Sequence, residues 1–383
     1  MSPFLNNEHD AWREYVRQFA EAQIRPVAAQ LDETETFSDE LTRKMGQAGL
    51  FGIDVPRKLG GGGKDTLSYI IAVEELARID GSQAATMAAH NSLGIAPIVT
   101  YGTDEQKEKL LPILCSGEAL WAFCLTEENA GCDARGVETT VQHDNGHWVV
   151  NGTKRYITNG SNNLLQGYTL LAITGHHEGE KEYSTVLVDR NAPGVNPRRM
   201  QGKMMWRASD TAQISFDQVK IPQSALLGER GKGLRQMLKT LDGGRLSIAA
   251  MGLGLAQGAF EQAKAYAAQR KQFGQTIDKF QVIAFKLADM ALKIELARNT
   301  LYKACWLKDQ GALFGKEAAM SKLYCSQIAK EVSDEAIQIA GGAGLFKHNE
   351  LERFYRDQRI LQIGEGTSEI LQMVIARHIG AGN

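Results

Sequence analysis

Three segments carry residues whose types and order could do chemistry. Residues 122–136 read AFCLTEENAGCDARG. Small side chains, Thr126 and a Gly131-Cys132 turn let backbone amides approach a ligand closely. Residues 154–160, KRYITNG, end a strand pattern and present Tyr156 and Thr158. Side chains two apart on a strand share a face. An aromatic beside a hydroxyl suits a flat ring with a polar edge, such as a flavin. Residues 362–380, QIGEGTSEILQMVIARHIG, set Glu365 before Gly366, just outside a helix that Thr367 or Ser368 can cap. A carboxylate there is held in place and stays reachable. Taken singly, these segments read as a surface turn, a strand end and a surface acid at a helix start. Their joint occurrence in this order favours a ligand site.

Two better-known phosphate patterns fail. In residues 60–66, GGGGKDT, Lys58 stands where a phosphate loop needs its first glycine, and Asp65 replaces the Ser or Thr that holds magnesium. Residues 252–258, GLGLAQG, miss the third glycine of the dinucleotide fingerprint by one place and fall inside a helical pattern rather than after a strand. A phosphate-bearing ligand would need another design.

The elements that must position these segments come in the order α, β, α. Residues 7 to about 118 read as helical. Trp12, Tyr15, Val16, Phe19, Ala20 and Ile24 form an i, i+3, i+4 stripe. Asp39 is expected to cap a helix that ends near Gly49. Thr66 is expected to start one that stops at Gly81, and Asp104 to open another. From Trp121 the pattern alternates, with an Asn151-Gly152 turn signal, and a mainly antiparallel β region follows over about 122–228. From about 231 the chain is helical again. The first long helix holds five glycines, each worth about 1 kcal/mol against alanine, so close helix–helix approach is expected as compensation. Further helices are expected over about 278–308, 314–340 and 367–378. The implied domains are 1–120, 121–229 and 230–383.

Composition narrows the function class. The chain has 383 residues, 43% apolar and 23% charged, with a formal net charge of −2. That balance gives no basic surface for nucleic acid. No apolar run approaches the roughly 20 residues of a membrane span. The polar N-terminus, MSPFLNNEHDAWREYV, reads as neither secretory signal nor transit peptide. Cys115, Cys124, Cys132, Cys305 and Cys325 form no CxxC, and their odd number fits reduced thiols in the cytoplasm. The eight histidines show no metal spacing; His176 and His177 sit in a polar stretch that reads as a hairpin loop. No metal is expected.

Over its whole length the chain resembles the acyl-CoA dehydrogenase family. AFCLTEENAGCD is similar to the family's first signature, and YITNG to its flavin-edge strand. KMMWRASDT and IPQSALLG match the end of its β domain. RKQFGQTIDKFQVIAFKLADM, QIAGGAGLFKHNELERFYRDQRI and IGEGTSEI match its C-terminal helices. The resemblance implies an α+β multidomain fold: an N-terminal helical domain, a middle antiparallel β domain and a C-terminal four-helix bundle. It implies a homotetramer with one FAD per subunit. Phe123, Leu125, Thr126 and Cys132 would line the flavin, Tyr156 and Ile157 would pack on it, and Thr158 would sit at its reactive edge. Arg270, Phe273, Gln281, Gln338, Gly341 and Gly342 would reach the pyrophosphate and adenosine of a neighbouring subunit's FAD, and Thr367 and Glu369 the subunit's own. Asp242 and Arg245 would hold CoA, with Cys132, Gly364 and Gly366 near the pantetheine and thioester. Glu365 would remove the substrate α-proton while the β-carbon gives a hydride to the flavin, the enolate being stabilised by the Glu365 N–H and a ribityl hydroxyl. The implied electron acceptor is an electron-transfer flavoprotein.

Departures from the family pattern sharpen the expectation. Some members carry the base on the long helix, where this chain has Gly244, leaving Glu365 as the candidate. Glu128 and Asn129 replace Pro-Gly, and Cys132 replaces Ser with a weaker hydrogen-bonding group. Gly364 stands where straight-chain enzymes often carry Tyr, which favours a branched or alicyclic acyl group over a thin linear chain; the acyl group expected is short, branched or alicyclic. Residues 84–93 resemble the pocket lining, with Ala84 where glutaryl-specific members carry Arg. The alternatives are an acyl-CoA oxidase, disfavoured by chain length, and a non-catalytic helical scaffold, disfavoured by the retained Glu365.

Overall fold

A computed structural model describes residues 3–144 and 146–382. Helices α1 (Asn7–Phe19), α2 (Arg25–Thr34), α3 (Asp39–Gln47), α4 (Thr66–Ala77), α5 (Gly81–Ala89), α6 (Ala96–Tyr101) and α7 (Asp104–Ser116) form the first layer. Of the expected stripe on α1 and its continuation, Val16, Ala20 and Ile24 are fully buried, while Tyr15 stays exposed at the edge. Two turns of wider π-type winding interrupt this layer, Ala20–Ile24 and His90–Ile95. Such turns are common where a helix re-aims side chains at a functional site. Two sequence expectations need correcting. Ser38, not Asp39, caps α3, because its hydroxyl accepts from the Leu41 N–H at 3.1 Å. Gly81 does not end α4; it is the first residue of α5, which Asp80 caps.

The β region is one eight-stranded sheet: β1 (Leu120–Cys124), β2 (Thr140–Asp144), β3 (His147–Thr158), β4 (Leu165–His177), β5 (Glu180–Asp189), β6 (Val195–Arg199), β7 (Thr211–Pro222) and β8 (Leu226–Leu227). The order is β6-β7-β3-β2-β4-β5-β8, with β1 added on β4. Most pairs are antiparallel, but β1 and β2 run parallel to β4, so the sheet is mixed. Asn151-Gly152 makes no turn. It lies inside β3, where the register with β7 shifts between Val150 and Gly152. A bulge in the facing β7, where Gln218 is left-handed, sits opposite the dipeptide, and Thr139 fills the space that a side chain at 152 would need. His176 and His177 do reach the β4–β5 hairpin, and His177 is exposed.

Four helices complete the chain with one short one: α8 (Gly233–Gln269), α9 (Gln281–Asp309), α10 (Gly315–Ala340), α11 (Leu351–Asp357) and α12 (Ser368–His378). The central α8, 37 residues long, packs on α4, α9 and α10. Its glycines behave as expected at three places. A Cβ at Gly252 would collide with the Cys325 carbonyl, at Gly254 with that of Glu74, and at Gly258 with that of Arg78. The backbones therefore touch where the sequence omits side chains. Ion pairs from buried side chains of the first layer tie it to the bundle: Glu74 of α4 meets the half-buried Arg298 of α9 at 3.0 Å, and Arg78 meets the partly exposed Glu261 of α8 at 2.9 Å. A separate apolar cluster joins sheet to bundle, in which Phe123, Leu125, Ala134, Val137 and Leu171 enclose Met237 of α8. That junction brings the first signature segment to the start of the long helix.

Candidate active site

The first two segments are stitched together by a buried ion pair. Lys154, fully buried on β3, donates to the Leu125 carbonyl at 3.0 Å and to Glu127 Oε1 at 2.7 Å. Glu127 also accepts from the backbone N–H groups of Glu138 and Thr139 and from the Thr139 hydroxyl. The Arg155 N–H donates to the Thr126 carbonyl at 2.8 Å. With every oxygen of the carboxylate engaged, the pair avoids the penalty of an unpaired buried charge and fixes the loop on the strand. Both residues were missed as site elements by sequence reasoning. The signal was present: Lys154 has the parity of Trp148 and Val150, the inward face of β3, and a lysine there demands a partner.

Beyond that anchor, Tyr156 adopts a left-handed backbone at φ 61, and the register with β7 shifts between Lys154 and Ile157. Simple alternation is therefore broken. The Tyr156 ring projects into solvent, 57% exposed, with the Arg155 guanidinium 5.2 Å from its centre. Arg155 in turn pairs with Glu128, one of the residues that replace the family's Pro-Gly. Ile157 points into the β core, which leaves only its backbone to a ligand, while Thr158 is half-buried. Phe123 and Leu125 belong to the sheet–bundle cluster. Cys132 is exposed and free, and Gly131 beside it faces open space.

Glu365 occupies the left-handed region at φ 53, followed by Gly366 at φ 100, and Thr367 then caps α12. A non-glycine residue held there carries about 1 kcal/mol or more of strain, so the surrounding packing must impose it. The residue keeps some exposure, yet its Oε2 is sealed from solvent without a hydrogen-bond partner. That oxygen lies against Gly244 of α8, where an added Cβ would collide with it. Leu93, from the π-type turn, borders the same spot. Burial pushes the Glu365 pKa up to about 7, against the opposing pull of Lys322 and Arg245. A carboxyl tuned to neutral pH can both accept and release a proton there.

Arg245, one residue beyond Gly244, pairs with Asp242 at 2.6 Å and has a second buried donor, Nε, with no acceptor. Two unpartnered polar atoms, one acidic and one cationic, thus flank the same turn of α8. Gly364 has room: a Cβ there would make only ordinary contact with Ile360 at 3.6–3.8 Å.

The remaining expected residues lie elsewhere. Arg270 ends α8, and it lines a surface groove of about 480 Å³ with Tyr266, Ile277, Gly341 and Gly342. Gly341 and Gly342 have nothing within 4 Å of an added Cβ. Gln338, one turn before them, is exposed, as is Gln281 at the start of α9. Phe273 is 94% exposed and also left-handed, at φ 50. Glu369 sits exposed in the first turn of α12. From Gly244 to Arg270 is about 39 Å along α8 at 1.5 Å per residue. The structure therefore gathers Glu365, Asp242, Arg245, Gly364 and Gly366 at one end and Arg270, Gly341 and Gly342 at the other. Among the described residues no cluster of three or more His, Cys, Asp or Glu side chains could hold a metal, and no helix is long and apolar enough to cross a membrane.

Comparison with known proteins agrees over the full length. Residues 6–118, 122–219 and 231–380 match the N-terminal, middle and C-terminal domains of acyl-CoA dehydrogenase. A probable acyl-CoA dehydrogenase of Bacillus subtilis is 46% identical over 376 residues, 98% of each chain. The short-chain specific acyl-CoA dehydrogenase of Clostridium acetobutylicum is 42% identical over 375 residues, again 98% of each. The structure of butyryl-CoA dehydrogenase from Megasphaera elsdenii superposes with a TM-score of 0.95 at 38% identity, covering 98% of both chains. Sequence signatures, three-part architecture and these relatives agree: the chain belongs to the acyl-CoA dehydrogenase family of oxidoreductases.

Proposed function

We propose that this protein removes the α-proton of a short acyl-CoA thioester with Glu365 and forms the 2-enoyl-CoA with FAD as its cofactor. The observation that carries this reading is the sealed, unpartnered Glu365 Oε2 at Gly244, with a pKa raised to about 7. A thioester α-proton is weakly acidic in water, so the base must act on a carbon whose developing enolate oxygen is stabilised. The backbone N–H of Glu365 is the donor proposed for that oxygen. Arg245 Nε supplies a second buried donor nearby, and Asp242 holds its guanidinium in place.

The residues fit a flavin nucleotide. Gly131, Gly341 and Gly342 leave open backbone, Arg270 offers an exposed guanidinium, and Tyr156 presents a ring held by a left-handed backbone. When bound, the flavin supplies the acceptor for the hydride that leaves the β-carbon. Phe123, Leu125, Thr126, Cys132, Tyr156, the Ile157 backbone, Thr158, Thr367 and Glu369 would hold it in the subunit that supplies Glu365. Arg270, Phe273, Gln281, Gln338, Gly341 and Gly342 would serve a neighbouring subunit's FAD. The location of Arg270, Gly341 and Gly342 in a surface groove of their own, about 39 Å along α8 from Gly244, supports this division. Assembly into a homotetramer is supported by the exposed apolar side chains of Val282, Phe285, Leu292 and Leu296 on α9 and of Leu345 and Phe346 beyond α10.

CoA would lie by Asp242, Arg245, Cys132, Gly364 and Gly366. The room at Gly364 favours a branched or alicyclic acyl group, and the short-chain and butyryl-CoA relatives favour a short one. Electron-transfer flavoprotein is the proposed acceptor, the cytoplasm the proposed setting of the five free cysteines, and 1–120, 121–229 and 230–383 the proposed domains. The purified protein should be yellow and should bleach anaerobically on mixing with butyryl-CoA or a branched short acyl-CoA. It should pass electrons to an electron-transfer flavoprotein or dye much faster than to oxygen. A colourless protein that gains no activity with FAD, or a yellow one that no acyl-CoA bleaches, would overturn the proposal.

A further inference from the structure

Helix α10 grips the segment that carries Glu365 from behind. Lys322 and Ser326 lie one turn apart on its buried face, among Ala318, Ala319, Cys325 and Ala329. The Ser326 hydroxyl shares its proton between the Lys322 carbonyl of its own helix at 2.6 Å and the Leu361 carbonyl, before Glu365, at 3.0 Å. The Lys322 ammonium donates to the Gly366 carbonyl at 2.6 Å, just after it. The side chain of Lys322 is completely buried. A buried lysine with one carbonyl acceptor is costly unless a negative charge faces it. Glu365 provides that charge, and Lys322 and Arg245 are the two cations that oppose the burial of its carboxylate.

We propose that Lys322 is a positioning residue for the base: it pins the left-handed Glu365–Gly366 turn through the Gly366 carbonyl and, while protonated, lends the buried carboxylate a positive charge. This rests on Glu365 being the α-proton base. Two functions meet in one side chain. The hydrogen bond holds Oε2 at Gly244, and the charge keeps that oxygen ionisable at neutral pH. The groups bearing on Glu365 are Lys322 from α10, Arg245 from α8 with its partner Asp242, and Tyr69 from α4, whose phenol burial pushes up. Glu369, in the first turn of α12, also acts on Lys322. Burial pulls the Lys322 pKa down to about 8, and Glu365 opposes that fall, so base and ammonium sustain each other's charge near neutrality.

The test is flavin reduction by limiting butyryl-CoA in the FAD-loaded enzyme, followed by rapid mixing from about pH 5.5 to about pH 9. Wild type should lose rate below its Glu365 titration. Lys322→Met keeps length and burial but removes the charge, and should move that acid limb up by about 1 pH unit or more. Lys322→Arg should return the limb toward wild type even where its rate is lower. Lys322→Gln replaces the Met variant should the latter fail to fold or retain FAD. A limb that stays in place in the neutral variants, with the rate either unchanged or lowered equally at every pH, would overturn the proposal. Failure of the underlying base assignment is read separately, as wild-type bleaching by Glu365→Gln.

Discussion

Two places along α8, Gly244 about three turns from its start and Arg270 at its C-terminus, solve opposite problems with the same backbone. At Gly244 the helix omits a side chain so that a carboxylate can press against it, out of water and without a partner. At Arg270 the helix stops in solvent, beside glycines that leave a surface groove open. Burial at the first end makes ionisation difficult and moves a proton affinity to where a base is useful. Exposure at the second leaves a guanidinium open to meet a phosphate. Desolvation thus tunes the end proposed for chemistry, and open backbone with a charged donor suits the end proposed for binding.

That contrast can be broken at either end. Glu365→Gln keeps size and polarity but cannot accept the proton. At neutral pH its flavin should bleach with butyryl-CoA roughly 10²–10⁴-fold more slowly, with FAD and acyl-CoA still bound. Glu365→Asp should fall between, because its carboxylate is withdrawn by one methylene. Gly244→Ala should fold, since α8 accepts alanine, but the new methyl occupies the place of Oε2. Displacing a reacting group by about 1 Å can lower a rate about 10²-fold. A normal bleaching rate in that variant would show that the base does not work from this position.

At the other end, Arg270→Ala should leave the bleaching rate of FAD-saturated enzyme near wild type while weakening FAD retention roughly 10- to 100-fold, the range for a charge-assisted hydrogen bond to phosphate. Titration of the apoprotein with FAD measures this, and unchanged affinity would place Arg270 outside the cofactor site. An effect of comparable size, but selective for the acyl group, is expected at Gly364→Tyr. The backbone tolerates a Cβ there, so the ring should act by filling the acyl space. Activity on branched or alicyclic acyl-CoAs should fall more than on butyryl-CoA, by about 1–3 kcal/mol in kcat/KM. Equal losses on both would show that position 364 does not shape the acyl pocket.

Much of this was legible because local patterns and tertiary demands coincide. The stripe on α1, the glycines of α8 and the Glu365-Gly366-Thr367 helix start each state their packing in the sequence. Where they diverge, the reading slipped. Asn151-Gly152 has the chemistry of a turn, but pairing of β3 with β7 on both sides outweighed it and left a bulge. Gly81 has the chemistry of a helix stop, but Asp80 before it caps the next helix, which Gly81 begins. Tyr156 and Thr158 could not be placed by alternation, since the left-handed Tyr156 resets it. Lys154 and Lys322 went unnoticed although each interrupts an otherwise buried face. Their partners, Glu127 and the Gly366 carbonyl, are 27 and 44 residues away, a distance that patterning does not cross.

The central claim is that the buried carboxyl of Glu365 is the group whose ionisation permits α-proton removal. It is tested most directly by the pH dependence of flavin reduction at limiting butyryl-CoA, which reports the free enzyme, in wild type and in Glu365→Gln. A base must be ionised to work, so the wild-type rate should fall about tenfold per pH unit below a pKa near 7 and level off above it. In Glu365→Gln that limb should vanish, leaving a slow rate that does not follow this titration. A Glu365→Gln profile that kept the wild-type limb, or the wild-type rate, would assign the base to another residue.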